Sequence, residues 1–522
     1  MNNTADLELN RYTGPQTTSR RHHHNSFLGG ETNFFENSSW SENIGAVEEN
    51  GNQPFDGITD NNTSDSLSDP LLSSHPKSDD NDGAEVEIHA GRIGGGGEGG
   101  GKASIIVSIF NLANNVAGSG MLTLSSGKAS GSGTGWVPSV LLVFLLAYAA
   151  CHTFTLIGKS CEITGSRTFR DLWISAFGHG CSPWAVDLAI FIQTCLGSII
   201  YLGLMGDTFS SLMTLTGVFP SFLCHRSVAI IALSTFVLWP LAMIRDLSSL
   251  GFTSILGLVA VLYTVVFVLV RAMDGSYAID PPGKFLQDDL IAATPSFDQS
   301  SYWNVDLSCL VLVSNLSLAF IAHYNAPTYW RELRNANSAR FLRVSRSSYA
   351  ILMVIYILVM CGGYATFGDS CYGNLLRNYH PHDRLAGFAR LSTGLSIIFG
   401  FPLIANGARE SFTSLYNAAY VESIGSHHRN LPRAKLVTVF LVITSCVAIS
   451  IDDVKVAAGL SGATVGSFLV YICPSLVYVT IVRKRSGPES LEYKKILRNI
   501  LFVPFGFGTV ILGVSMTIQH MV

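Results

Sequence analysis

From Ala103 onward, sparsely charged apolar stretches long enough to cross a bilayer recur eleven times. They lie at 103–126, 136–158, 184–213, 227–244, 248–270, 304–326, 347–367, 385–408, 434–451, 455–482 and 498–520. About 20 apolar residues suffice for a helix to span the hydrocarbon core. Backbone groups in lipid must bond within their own segment, so the spans are helices, not strands. Only 13% of the 522 residues are charged, against about 25% in soluble domains. The expected fold class is therefore an all-α membrane protein with eleven transmembrane helices. Arg245-Asp246 makes a tight turn between the fourth and fifth spans.

Charge sets the expected orientation. With the N-terminus cytosolic, the connections after spans 2, 4, 6, 8 and 10 are cytosolic too. Counted with the first two residues of the span that follows each, they carry 19 Lys and Arg, and the opposite connections carry 7. Positive residues collect on the cytosolic side of membrane proteins. The connection 271–303 agrees, with Asp274, Asp280, Asp288, Asp289 and Asp298 on the other side.

Residues 1–101 form a different region. Through Lys102 the chain has 17 acidic and 6 basic residues, and the segment closes on a glycine run from Gly94 to Gly101 broken by Glu98. So little apolar surface cannot offset the entropy of ordering, and a disordered cytosolic tail is expected. His22–His24 reads as a polar cluster, and the Asn37-Ser-Ser sequon falls on the cytosolic side. Asp69-Pro-Leu-Leu72 resembles an acidic dileucine sorting signal that trafficking adaptors bind. It leaves a vacuolar or lysosomal-type membrane and the plasma membrane both open.

The residues also argue against other classes. No basic patch suits nucleic acid, and the ten cysteines show no CxxC or metal-type spacing. No apolar h-region of a cleaved signal peptide precedes residue 100. No nucleophile–base pair or metal motif points to an enzyme, and no cofactor is implied. Rings of charge or a repeated filter, as in a channel, are missing.

Two spans are interrupted where an anchor would be continuous. The first reads Phe110-Asn-Leu-Ala-Asn-Asn-Val-Ala-Gly-Ser-Gly-Met-Leu122, and the sixth reads Leu318-Ala-Phe-Ile-Ala-His-Tyr-Asn-Ala-Pro-Thr-Tyr-Trp330. Gly and Asn weaken a helix, and Gly lets backbone approach a ligand closely. The breaks are five helices apart, an odd number, so a repeat of that length is inverted across the membrane. Matching breaks in two inverted halves are the best sequence pointer to a transporter's binding site. The half-helix beginning near Gly118 offers free N–H groups to a carboxylate. Carbonyls around Ala113 and Asn114 would suit an ammonium group or a cation. Small residues also mediate plain helix packing, but two matching breaks favour a site. His323 is either an ion or substrate group or a hydrogen-bonded residue of the break. Asp207 is a candidate proton site or the partner of an arginine, and Arg390 a candidate to snorkel to the interface.

At these residues the chain resembles the amino acid/auxin permease family, including its sodium-coupled neutral amino acid transporters and vacuolar relatives. Tyr201-Leu-Gly-Leu-Met-Gly-Asp-Thr208, Pro240-Leu-Ala-Met-Ile-Arg-Asp-Leu-Ser-Ser-Leu250, Ala322-His323 to Pro327 with Glu332-Leu333, and Gly459-Leu-Ser-Gly-Ala-Thr-Val-Gly466 extend the match across 103–482. The resemblance implies a LeuT-like inverted five-plus-five repeat, about 103–270 and 304–482, with an eleventh helix at 498–520 outside it. It also implies alternating access with an amino acid bound at the midplane. Asn114 falls where the family links substrate and sodium. Val116, Ala117, Gly118, Ser119 and Gly120 fall on the unwound stretch, and Phe320 to His323 on its partner.

One departure bears on the coupling ion. Sodium-coupled members carry a Thr or Ser hydroxyl shortly before the proline of span 8. Here 397–401 carry none before Pro402, and only a register using Ser396 or Thr393 supplies one. Sodium needs several hard oxygens, so proton coupling is expected, with Asn114, Thr393, Ser396 and Asp207 as candidate ion-coupling residues. The alternatives are a sodium-coupled symporter and a sensor that signals through its tail. Cys224 and Cys371, both in non-cytosolic connections, are a candidate pair.

Overall fold

The computed structural model describes residues 101–519 other than Ser119, Cys181, 245–250, 288–292, 425–431, Asp452, 487–495 and Leu497. The tail, the Arg245-Asp246 turn and Ser119 fall outside them. Ten helices among the described residues are long and apolar enough to cross a membrane. An eleventh apolar segment, Arg226–Ala242, is shorter.

The first span is α1 (Ile105–Ala117) and α2 (Leu124–Ala129). Ser104 starts α1 by accepting the Val107 N–H. The second span, α3 (Trp136–Thr164), ends at Gly165, whose φ of +71° suits glycine; its N–H caps Cys161 O at 2.8 Å. The connection expected after it contains a helix, α4 (Phe169–Phe177), capped by Thr168. It buries Phe169, Leu172, Trp173 and Ala176, an amphipathic spacing. Nine residues are too few to cross a bilayer, so the span count is untouched.

The third span is α5 (Ser182–Thr216). The fourth comprises α6 (Arg226–Leu233), a wide π turn at Ser234–Leu238 and α7 (Trp239–Ala242). In that turn the Trp239 N–H bonds Ser234 O, one residue further back than in an α-helix, just before Pro240, which has no N–H to give. The fifth is α8 (Gly251–Met273) and the sixth α9 (Cys309–Ala319) with α10 (Ala326–Glu332). Then follow α11 (Ser338–Phe367), α12 (Arg384–Ile424) and α13 (Arg433–Ser450). The tenth span is α14 (Val454–Ser461), two π turns and α15 (Cys473–Arg485); α16 (Phe502–Gln519) is last.

Burial sorts these helices into an inner and an outer set. The two interrupted spans are 71% and 78% buried by protein, whereas Arg433–Ser450 and Arg498–Met516 are 28% and 22% buried. The asparagines of α1 thus sit at the centre of the bundle. Around them α12 packs along α5 and α8, and α11 packs along α1, α3 and α8. The lysine of α2, Lys128, is buried too. It donates to Thr134 O and lies over the rings of Trp136 and Tyr364, 4.6 and 4.0 Å from their centroids.

Candidate functional site

Both expected breaks are present, and they meet. The backbone leaves α1 at Gly118 (ψ −104°) and re-enters through a 3₁₀ turn, Gly120–Thr123, before α2. In the sixth span α9 ends at Ala319, Ala322 leaves helical geometry at φ −142° and ψ 4°, and a 3₁₀ turn at His323–Asn325 leads into α10. Pro327 lies in the first turn of α10, where its missing N–H costs nothing. A Cβ on Gly120 would stand 2.5 Å from the Cα of Ala319, so the two unwound segments touch backbone to backbone.

Tyrosines satisfy the carbonyls that the breaks free. The Tyr356 hydroxyl lies 2.8 Å from Val116 O and 2.6 Å from Ala319 O, sharing one proton between the breaks. Tyr349 donates to Phe320 O at 3.1 Å and Tyr201 to Asn115 O at 3.3 Å. Buried carbonyls need such partners. Because α1 stays helical through Ala117, the carbonyl of Ala113 lies within the helix, and the bonds from other spans fall on those of Asn115 and Val116. The sequence analysis passed over all three tyrosines as site residues; their roles depend on packing between distant spans.

Asn114 lies fully buried one turn before the break. Its Oδ1 accepts from Ser396 of α12 at 3.3 Å, and its Nδ2 makes no hydrogen bond. Ser396 therefore stands in the register that meets α1. Thr393, one turn earlier, instead pairs with Thr264 of α8 at 2.9 Å. Gly257 of α8 faces Asn114 so closely that a Cβ there would be 2.1 Å from Oδ1. Gly257→Ala is expected to displace the Asn114 amide and lower uptake about tenfold, since overpacking costs about 1–3 kcal/mol. Uptake equal to wild type would remove Gly257 and the Asn114 geometry from the site.

A cavity of about 30 Å³ lies at the breaks, room for about one or two waters. Val116 and Gly120 line it, together with Asn115, Gln193, Tyr201 and Tyr324, which the sequence analysis left unassigned. Tyr324 also lines a cavity of about 920 Å³ that extends to α4, Arg331 of α10 and Glu410 of α12. That ring thus stands between the central cavity and one large vestibule.

Other candidates lie apart. Phe320 is buried with its ring 4.9 Å from that of Tyr356, supporting the break from behind. His323 turns toward α3: Nε2 is 3.1 Å from Ala150 O and 3.0 Å from Thr153 Oγ1. A carbonyl only accepts, so Nε2 carries the proton, and His323 is a hydrogen-bonded residue of the break. Asp207 is not at the breaks. It lines a separate cavity and accepts from Arg226 Nε at 2.8 Å, the arginine partner weighed above. Arg390 does not snorkel; it is buried and donates to Leu376 O and Tyr379 O. Cys224 and Cys371 are both free thiols, donating to Pro220 O and Gly363 O, so the candidate pair is not formed.

A bundle of bilayer-length helices, with two interrupted helices meeting at its centre beside a vestibule, defines a multi-pass membrane transporter with a LeuT-like fold. The solved structure of MhsT in complex with L-phenylalanine shares this fold, with a TM-score of 0.50 at 11% identity, covering 81% of this chain and 100% of that one. Residues 101–519 match the family described as "Transmembrane amino acid transporter protein", and the chain belongs to that family. Similar proteins include "Putative sodium-coupled neutral amino acid transporter 11" of Mus musculus, 25% identical over 431 residues, 81% of this chain and 87% of the relative. The protein of that name from Danio rerio is 26% identical over 388 residues, 74% and 81% of the two chains.

Proposed function

We propose that the protein is a secondary active transporter that moves neutral amino acids by alternating access. The observation that carries this is the meeting of two interrupted helices at a buried cavity. The 3₁₀ turn after Gly118 presents N–H groups for a carboxylate. A 30 Å³ cavity is too small for an amino acid, so binding and release require Tyr324 and the unwound segments to move. The bias of basic connections supports a cytosolic face for the 920 Å³ vestibule, and on that reading the state is inward-facing with its central site closed. The tail remains a proposed platform for trafficking adaptors.

The proposed coupling ion is the proton. Tyrosine hydroxyls already engage the carbonyls of Asn115, Val116, Ala319 and Phe320, which would otherwise be free for sodium. A second reading, sodium, is favoured by the Ser396 hydroxyl beside Asn114 Oδ1, which fills the register that span 8 left open. Uptake of a labelled amino acid panel into proteoliposomes, with proton and sodium gradients imposed separately, decides between them. Uptake driven by the pH gradient alone, and lost in Asn114→Ala, is the expected result. A strict sodium requirement at constant pH would overturn proton coupling and keep the transporter. Binding without uptake under either gradient would point to a sensor.

A further inference from the structure

At the other end of the bundle, a cavity of about 320 Å³ opens between α5, the start of α6, α12 and the connection joining α11 to α12. Among its described lining residues are three arginines, Arg226, Arg377 and Arg390, and a single carboxylate, Asp207. That carboxylate is engaged on both oxygens, by Arg226 Nε at 2.8 Å and by Asn374 Nδ2 at 3.4 Å. Arg226 also gives Nη1 to Ala448 O at 3.0 Å, and Arg390 gives Nη2 to Leu376 O and Tyr379 O at 3.1 and 2.7 Å. Arg226 Nη2, Arg390 Nη1 and Thr208 Oγ1 are buried in this lining without partners. Arg390 is only 3% exposed.

Burying a guanidinium N–H without an acceptor is costly, and nearly all such groups in native proteins are satisfied. Here the orphans gather on one cavity whose positive charge exceeds its negative charge. An anion would complete all of them. The cavity is about ten times the volume of the one at the helix breaks, room for more than a single atomic anion. A carboxylate presents two acceptors in one plane, the geometry the guanidinium fork matches.

We propose that this cavity is a second binding site, which takes a small carboxylate: the carboxylate of an amino acid held at this face before it reaches the helix breaks. Its purpose rests on the transporter reading; its chemistry does not. Arg226 and Arg390 hold the anion from two sides, and Thr208 donates from α5. The pair Asp207–Arg226 keeps Arg226 in place, a positioning role in which Asp207 itself carries no coupling proton.

The test uses the full chain in lipid nanodiscs, with the thermal unfolding midpoint read at constant ionic strength against sodium acetate, sodium chloride and sodium phosphate. Acetate lacks the ammonium group and reads the carboxylate alone. A saturable rise with acetate is expected, by mass action on the folded state. Arg226→Lys and Arg390→Lys each keep the charge and lose the fork, and each is expected to weaken acetate binding about tenfold. Arg226→Lys retains a cation for Asp207, and decides the question by itself if Arg390→Lys does not fold. No saturable acetate response, unchanged acetate affinity in Arg226→Lys, or an equal response to chloride or phosphate would overturn the assignment. Arginine-dependent acetate binding in a protein that takes up no amino acid would sink the transporter reading alone. Uptake without acetate binding would sink this site alone.

Discussion

Gly120→Ala is expected to reduce amino acid uptake about a hundredfold in a protein that still reaches the membrane. The added methyl would sit 2.5 Å from Ala319 Cα and 2.8 Å from Ala319 Cβ. Neither neighbour can swing away as a flexible side chain would, because the first is backbone at the end of α9. The two unwound segments must separate by roughly an ångström, in a region where interiors are close-packed. Overpacking of this kind costs about 1–3 kcal/mol, and the upper end corresponds to about a hundredfold in an equilibrium. Proteoliposome uptake measured beside the monodisperse fraction on size exclusion separates lost transport from lost folding. Wild-type uptake in well-folded Gly120→Ala would mean that the contact between the breaks is absent from the working cycle. Gly118→Ala provides a graded comparison: its methyl would meet the Tyr201 hydroxyl at 2.5 Å, the far end of a side chain rather than backbone.

The glycines at the first break were legible in the sequence because their chemistry is local. Gly118 and Gly120 within a run of bilayer length, and Pro327 in a matching place, disrupt a helix whatever surrounds them. The apolar spans were legible for the same reason, since the bilayer dictates their length. What holds the breaks was not legible. Tyr201, Tyr349 and Tyr356 look like ordinary apolar residues of two spans, and their hydroxyl partners lie 86, 29 and 240 residues away, Tyr356 reaching 37 residues to Ala319 as well. Gly257 gave no signal either, being one glycine in an apolar run; it matters because Asn114 presses on it. The asparagine named from sequence is buried within the bundle, and the groups that fix its amide come from α8 and α12.

Charged residues failed in an instructive direction. Asp207 and Arg390 attracted attention because ionisable groups are rare within spans. Both belong to the 320 Å³ cavity, which no sequence spacing could assemble from α5, α6, α12 and a connection. The register of span 8 was open for a related reason. A helix places residues three apart on neighbouring faces, so Thr393 and Ser396 were equivalent candidates until packing sent one to Thr264 and the other to Asn114.

The largest effect expected away from glycine is at Tyr356. Tyr356→Phe removes one hydroxyl and leaves two buried carbonyls, Val116 O and Ala319 O, without their donor. An orphaned buried acceptor costs about 1–3 kcal/mol, so a destabilisation of several degrees in the unfolding midpoint is expected, with uptake lowered at least about tenfold. Removing the proton they share also lets the two oxygens repel each other across the breaks. That repulsion predicts a change of cycle as well as of stability: KM should rise, because the empty site no longer holds the two segments together. Tyr349→Phe is the matched control, since it frees the Phe320 carbonyl alone and leaves the joint intact. If both variants lose stability equally and KM stays at the wild-type value in each, the Tyr356 hydroxyl is a packing contact and not the joint. If KM rises in Tyr356→Phe alone, the two interrupted helices work as one site through a single proton on α11.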